Sequence, residues 1–221
     1  MIHPNLATTL AFVATDANIS PSLLQKTLRD VATRTFNSIT IDGDTSTNDT
    51  LLVLANGAAD APAVKSGSSA HRAFSRALEE VCESLALQIV ADGEGAQRVI
   101  EIEIRHAKTE DAARRIAQTI ATSPLVKTAF AGGDPNWGRI YAAAGRAGVK
   151  FDPARVDIHM AGIPVLRRGQ PVEFNERAAS NRLLEKNVYI VMDLHAGKAS
   201  ASYWTCDFTA EYVRINASYR T

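Results

Sequence analysis

The chain has 221 residues, enough for one large hydrophobic core or two small ones. Lysine plus arginine and aspartate plus glutamate each total 24, so the formal net charge is zero and nothing favours a general affinity for nucleic acid or an anionic membrane. No apolar run approaches membrane-spanning length, the first residues lack the pattern of a secretory signal, and Cys82 and Cys206 fit no zinc-binding spacing, so a reducing, cytoplasmic setting without a bound metal is expected.

The chain opens M-I-H-P-N-L-A-T-T-L-A-F-V-A-T-D. Pro4-Asn5 marks a turn, residues 10–14 read as a buried strand, and Thr8 and Thr9 stand between the two. Two β-branched residues can simply start a strand, yet a hydroxyl at the lip of a core strand is also a place where chemistry can be held rigidly. Ser20 and Pro21 supply an N-cap and a first helical residue, and Leu24, Leu28 and Val31 recur at helical spacing behind them. Ile39 and Ile41 flank Thr40 as in a short strand. The polar run D-G-D-T-S-T-N-D-T over residues 42–50 is a loop that lacks the glutamate and spacing of a calcium-binding EF-hand. Residues 51–55 read as a fully buried strand, closed by Asn56-Gly57.

A Pro/Gly/Ser-rich connection leads to a helix over residues 71–90, where Phe74, Leu78, Val81, Leu85 and Ile89 form one stripe and Cys82 lies on the apolar face. It ends in A-D-G-E-G-A, whose glycines turn the chain from helix to strand. Glu94 between them is either part of that turn or a carboxylate placed to bind a cationic group; the spacing is not that of a phosphate-binding loop. Ile100, Ile102 and Ile104 alternate with charged residues as a strand. Thr109 caps a helix with Ala113, Ile116, Ala117 and Ile120 on its inner face, and Pro124 lies beyond its end. The run A-G-G-D-P-N-W-G-R-I turns into a small-residue helix, Trp137–Gly145, in which Asp134 and Arg139 suit an ion pair or a cap better than catalysis. The last third reads as strands and hairpins: Val156, Ile158 and Met160, then a turn-rich stretch over 162–172, then Val188 to Leu194 and Ser202 to Phe208 in alternation. His159 and His195 read as structural.

Several of these irregular segments resemble one family. The segment over residues 1–8 is similar to the self-cleavage site of the ornithine acetyltransferases, also called glutamate N-acetyltransferases, in which a precursor splits before a threonine that becomes the β-chain N-terminus and the nucleophile. Carried over, the scissile bond is Ala7–Thr8 and the nucleophile is Thr8. The family usually has a bulky apolar residue at the next position, where this chain has Thr9. The block D-G-D-T-S-T-N-D-T-L-L-V-L-A-N-G, the A-D-G-E-G-A segment, A-G-G-D-P-N-W-G-R-I and the ending C-D-F-T-A-E-Y-V-R-I-N-A-S-Y-R-T resemble the same family in the same order. The resemblance implies that Glu94, Asn216 and Thr221 approach substrate together with Thr8.

It also implies an α+β fold, a layered α/β sandwich whose core is completed by an α chain from the same precursor, with a smaller C-terminal α/β lobe. The expected organisation is residues 1–7 as the end of the α segment, 8–98 in the catalytic layer and 99–221 in the lobe, whose tail returns to the site, within an α2β2 heterotetramer. The implied reaction is ping-pong acetyl transfer from N2-acetylornithine to glutamate in arginine biosynthesis through an acetyl-threonine. No bound cofactor is expected; acetyl-CoA as a second donor, which would make the enzyme bifunctional, stays open. So do two alternatives: an aminopeptidase or amidase on the same self-cleaving scaffold, and an isolated half that only binds its partner chain. An N-terminal threonine fits the chemistry, because its own α-amine, with a pKa of about 7.7–8.0, can take the hydroxyl proton.

Overall fold

The apolar run after residue 9 forms β1 (Leu10–Thr15), followed by α1 (Pro21–Arg34), the short β2 (Ile39–Thr40), β3 (Thr50–Ala55) and the long α2 (Ser69–Ala91). The computed structural model describes residues 1–3, 10–48 and 50–218 and gathers the chain into two units, Met1–Gln88 and Ile89–Thr221; the sequence set a boundary between residues 98 and 99. The resolved elements alternate helix and strand in layers, which makes the fold α+β.

In the first unit β1 and β3 run parallel, with Phe12 opposite Leu52 and Ala14 opposite Leu54. Ser20 caps α1 as expected, accepting the Leu23 amide, and Pro21 occupies the first turn. The two helices are tied by the bidentate pair Arg34–Glu79, at 2.6 and 2.8 Å, and by Thr27 Oγ1 to His71 Nε2 at 2.9 Å. Two expectations need correction. The strands are not buried on both faces: Ala11 and Val53 are buried, whereas Leu10, Phe12, Leu52 and Leu54 are exposed, because no layer covers that side among the described residues. In α2 the innermost line is Leu78, Cys82, Ala86 and Val90, a strict four-residue step, and Val81 faces solvent.

The second unit is built on β4 (Val99–Ala107), α3 (Glu110–Ala121), α4 (Pro124–Ala131), α5 (Trp137–Gly145), β5 (Asp157–Met160), β6 (Ile163–Arg167), β7 (Gln170–Pro171), α6 (Glu176–Leu183), β8 (Asn187–Asp193), β9 (Ala199–Cys206) and α7 (Ala210–Ser218). Its strands lie in the order β9-β4-β8-β5-β6-β7, with only β4 and β8 parallel. Ile100, Ile102 and Ile104 turn their side chains to the layer of α3, whose Ala113, Ile116, Ala117 and Ile120 are all fully buried. Thr109 caps that helix through the Ala112 amide, as its spacing predicts. Three helices were not foreseen. Pro124 does not merely follow α3 but opens α4, while α6 and α7 occupy a region that read as strands and hairpins. The turn-rich stretch over 162–172 holds the hairpin strands β6 and β7.

Ile116 is expected to be among the most sensitive core positions. Ile116→Ala should lower unfolding stability by about 2–5 kcal/mol in a denaturant titration, through lost burial and the cavity it leaves.

Candidate functional site

In the first unit the residues just before the expected cleavage site are held by the polar loop that follows β2. The Ile2 carbonyl accepts the Ile41 amide at 2.8 Å and the Thr40 hydroxyl at 2.9 Å, while the Ile2 amide donates to Asp42 Oδ1 at 2.8 Å. Thr45 Oγ1 donates to the His3 carbonyl at 3.1 Å. Residues 1–3 are thus laid along the D-G-D-T loop largely by bonds to main chain, with His3 Nδ1 3.2 Å from Thr40 Oγ1 as a side-chain contact. Burial by itself pushes the Asp42 carboxyl up, but the amides of Ile2 and Asp44 and the Met1 ammonium outweigh it and hold it below its ordinary value. Burial pushes the His3 imidazole down despite the nearby Asp42 and Asp44 carboxylates. Ala7, Thr8 and Thr9 lie outside the described residues, as does Thr221.

In the second unit Glu94 and Asn216 meet. Asn216 Nδ2 donates to Glu94 Oε2 at 2.6 Å and to the Tyr212 carbonyl at 3.0 Å. Both side chains are exposed, and among the described residues only one oxygen of the carboxylate is engaged, which leaves the other for a donor from solution.

What brings them together is a buried anchor below. After β9 ends, Asp207 turns its carboxylate into the protein, where Oδ2 accepts Arg98 Nη1 at 2.7 Å and Oδ1 accepts the amides of Gln97 and Arg98 at 2.8 and 3.1 Å. Both partners are buried. One carboxylate therefore satisfies the end of the Glu94 loop and the start of the C-terminal tail at once. Lys127, also buried, donates from Nζ to Thr205 Oγ1 at 2.6 Å and to the Cys206 carbonyl, and its own carbonyl accepts the Phe208 amide. Thr209 Oγ1 donates to the Gly95 carbonyl at 2.8 Å. Gly95 has φ +70°, and a Cβ there would lie 2.7 Å from the Tyr212 amide nitrogen, so the loop and α7 can approach this closely only with glycine. Phe208 and Tyr212 then pack with ring centroids 4.5 Å apart.

Asp134 and Arg139 do not pair. Asn136 caps α5 by accepting the Arg139 amide, Asp134 accepts from the Asn136 side chain, and Arg139 donates to the Leu125 carbonyl, so the segment is structural. Arg98, Asp207, Thr209 and Lys127 went unnoticed in the sequence. No spacing could reveal a pair separated by most of the second unit, although a charged residue on each side of two strands was a weak signal.

Two outcomes are expected here. Asp207→Asn leaves the buried Arg98 guanidinium unpaired and should cost about 3–5 kcal/mol in denaturant unfolding, with faster amide hydrogen exchange across residues 210–218; unchanged exchange there would remove the anchor role. Asp42, whose carboxyl is depressed in the fold, stabilises fully above the ordinary carboxylate range, and that contribution is lost as pH falls through the folded value. Asp42→Asn should therefore flatten the acid side of a melting-temperature profile below about pH 4, leaving its slope near neutrality unchanged.

The sequence model of the ArgJ family matches residues 1–221. The arginine biosynthesis bifunctional protein ArgJ of Symbiobacterium thermophilum is 50% identical over 221 residues, which are 100% of this chain and 55% of that protein. The protein of the same name from Bacillus cereus is 46% identical, over 100% of this chain and 54% of its own length. The chain thus spans little more than half the length of these relatives. The crystal structure of arginine biosynthesis bifunctional protein argJ from Bacillus halodurans superposes with a TM-score of 0.94 at 43% identity, covering 96% of this chain and 100% of that one.

Proposed function

Because the chain belongs to the ArgJ family, we propose that it is the nucleophile-bearing portion of an acetyltransferase that moves an acetyl group from N2-acetylornithine to glutamate. The observation that carries this reading is the Glu94–Asn216 bond at 2.6 Å: a loop after α2 and a helix at the chain's end are built to meet at an exposed carboxylate and amide. Such a pair suits a substrate that presents an ammonium group, as ornithine does, because the carboxylate supplies charge and the amide supplies direction.

The chemistry follows from an N-terminal threonine. After cleavage of Ala7–Thr8, the Thr8 amine takes the proton from its own hydroxyl as Oγ attacks the acetyl carbonyl carbon. The tetrahedral oxyanion collapses, the C–N bond breaks, and the proton passes to the departing ornithine amine. Glutamate then attacks the acetyl ester through its amine, and the threonine hydroxyl is restored. Thr221 joins Glu94 and Asn216 at the substrate. Acetyl-CoA serves as a second donor if the bifunctional name of the relatives extends to this protein.

Two further observations support a partner from the same precursor. The Bacillus halodurans chain is matched over its whole length whereas the full relatives are matched over about 55%, as fits a chain of this extent that exists separately. The exposed Leu10, Phe12, Leu52 and Leu54 leave one face of a parallel strand pair uncovered, and parallel sheets are ordinarily covered on both faces. An α chain laid on that face, in an α2β2 assembly in the cytoplasm, completes the core and supplies oxyanion donors.

Intact mass of this chain co-expressed with the upstream half of its gene is the test. Loss of residues 1–7 from the unmutated protein, with none from Thr8→Ala, is expected, together with transfer rather than hydrolysis of the acetyl group. An unprocessed mass in both would leave Thr8 without a free amine and overturn the mechanism.

A further inference from the structure

At the opposite end of β4 from the Glu94 loop, two histidines share a carboxylate. β4 and β8 run parallel and finish side by side, Arg105 in register with Asp193, and β5 begins on the far side of β8 with Asp157 directly opposite Asp193. Two carboxylates directly opposite each other across an antiparallel pair repel unless a third group bridges them. His195 lies between them: its Nε2 is 2.9 Å from Asp157 Oδ2 and its Nδ1 is 3.4 Å from Asp193 Oδ1. His106 comes in from β4, its Nδ1 2.7 Å from Asp193 Oδ2, and the two imidazoles stack with centroids 6.0 Å apart and planes 16° from parallel.

The backbone is bent to make this arrangement. His106 stands at a bulge of β4 with φ +51°, and His195 turns the chain after β8 with φ +47°. Non-glycine residues adopt that region at a cost, and it is met here by two histidines facing one carboxylate. The amides of Ala196 and Gly197 both donate to the His106 carbonyl at 2.8 Å, locking one bend to the other.

The carboxylates on either side of His195 are themselves fixed by main chain. The Arg168 amide donates to Asp157 Oδ1 at 2.6 Å, and the His195 amide donates to Asp193 Oδ1 at 2.9 Å. With both carboxylates pinned, His195 keeps Nε2 on Asp157 and turns Nδ1 toward Asp193 and the His106 side. One ligand atom from each of His106, Asp193 and His195 lies within 4.8 Å of the others.

We propose that His106, Asp193 and His195 form a divalent metal site of the zinc type, with Asp157 as the outer carboxylate that orients His195. Two imidazole nitrogens and one carboxylate oxygen are a ligand set that leaves a fourth tetrahedral position for water or an anion. A carboxylate bonded to the far nitrogen of a ligand histidine is the usual outer support of such a site. Two carboxylates balance the charge of the ion. Binding expels the proton between His106 Nδ1 and Asp193 to solvent, so the nitrogen coordinates through its lone pair. The adjoining cleft, about 560 Å³ and lined by Arg155, Arg167 and Arg168, favours an anion in the fourth position. This site uses neither Thr8 nor Glu94, so its test stands apart from the transferase reading.

The experiment is titration of the chelator-treated protein, purified with its upstream half, with Co2+ read by visible absorption and with Zn2+ by calorimetry. One tetrahedral cobalt spectrum per chain, displaced by zinc, is expected. His106→Ala and His195→Ala should each abolish it, and Asp157→Asn should weaken zinc binding about 10–100-fold with the stoichiometry unchanged. All three side chains are at least partly exposed, and circular dichroism of the metal-free variants checks that they fold. No stoichiometric tetrahedral spectrum, or one that the two histidine variants leave intact, overturns the proposal; a histidine that bridges the two aspartates by a proton alone would give that result.

Discussion

The second unit depends on one buried carboxylate. Asp207 accepts two main-chain amides and one guanidinium nitrogen, all from Gln97 and Arg98, and so fixes the entry of β4 to the exit of β9. Those strands are neighbours in the sheet, and without the anchor their ends would leave polar main chain unpaired at the edge of an apolar core. Burying an ion pair is costly in itself, and the three hydrogen bonds that Asp207 accepts offset much of that cost, although Arg98 Nε stays buried without a partner among the described residues. From that fixed point Gly95 and Thr209 bring the loop against α7, and Asn216 reaches Glu94. The exposed polar pair is precise because its foundation is dry.

Much of the second unit was legible. The alternation of Ile100, Ile102 and Ile104, the Thr109 cap and the inner face of α3 follow from periods of two and 3.6, and these elements lie where their patterns predict. The pairing of Glu94 with Asn216 was not legible in periodicity; resemblance singled out each residue separately as one expected to approach substrate, and their bond emerges only from the structure. The helices α6 and α7 escaped notice because each is short and only partly buried, so neither carries a strong apolar stripe. Asn175 does cap α6 through the Ala178 amide, a local signal that lay in the sequence unused.

The first unit was misread for a different reason. Apolar runs such as residues 10–14 and 51–55 state that a strand wishes to be covered on both faces, and the reading took the wish for the fact. Period states a preference for cover and not what meets it. Cys82 illustrates the opposite case, where a local reading sufficed: it is fully buried among the apolar residues of α2, and burial first, then the Glu79 charge, pushes its thiol up to about 11, so it stays a neutral hydrophobe.

The strand order has a consequence for the life of the nascent chain. β4 lies in the interior of its sheet, yet both of its neighbours, β8 and β9, come late in the sequence. Asp207 follows the amides it holds by 110 and 109 residues, and Asn216 follows Glu94 by 122. At a synthesis rate of about 5–20 residues per second, the Glu94 loop waits roughly 5–25 s for its partners. During that interval β4 offers two unpaired edges, and it alternates isoleucine with Glu101, Glu103 and Arg105, charges that discourage pairing with a stranger. A ribosome that stops short of Asn216 releases a protein with its core nearly complete and its carboxylate unmatched.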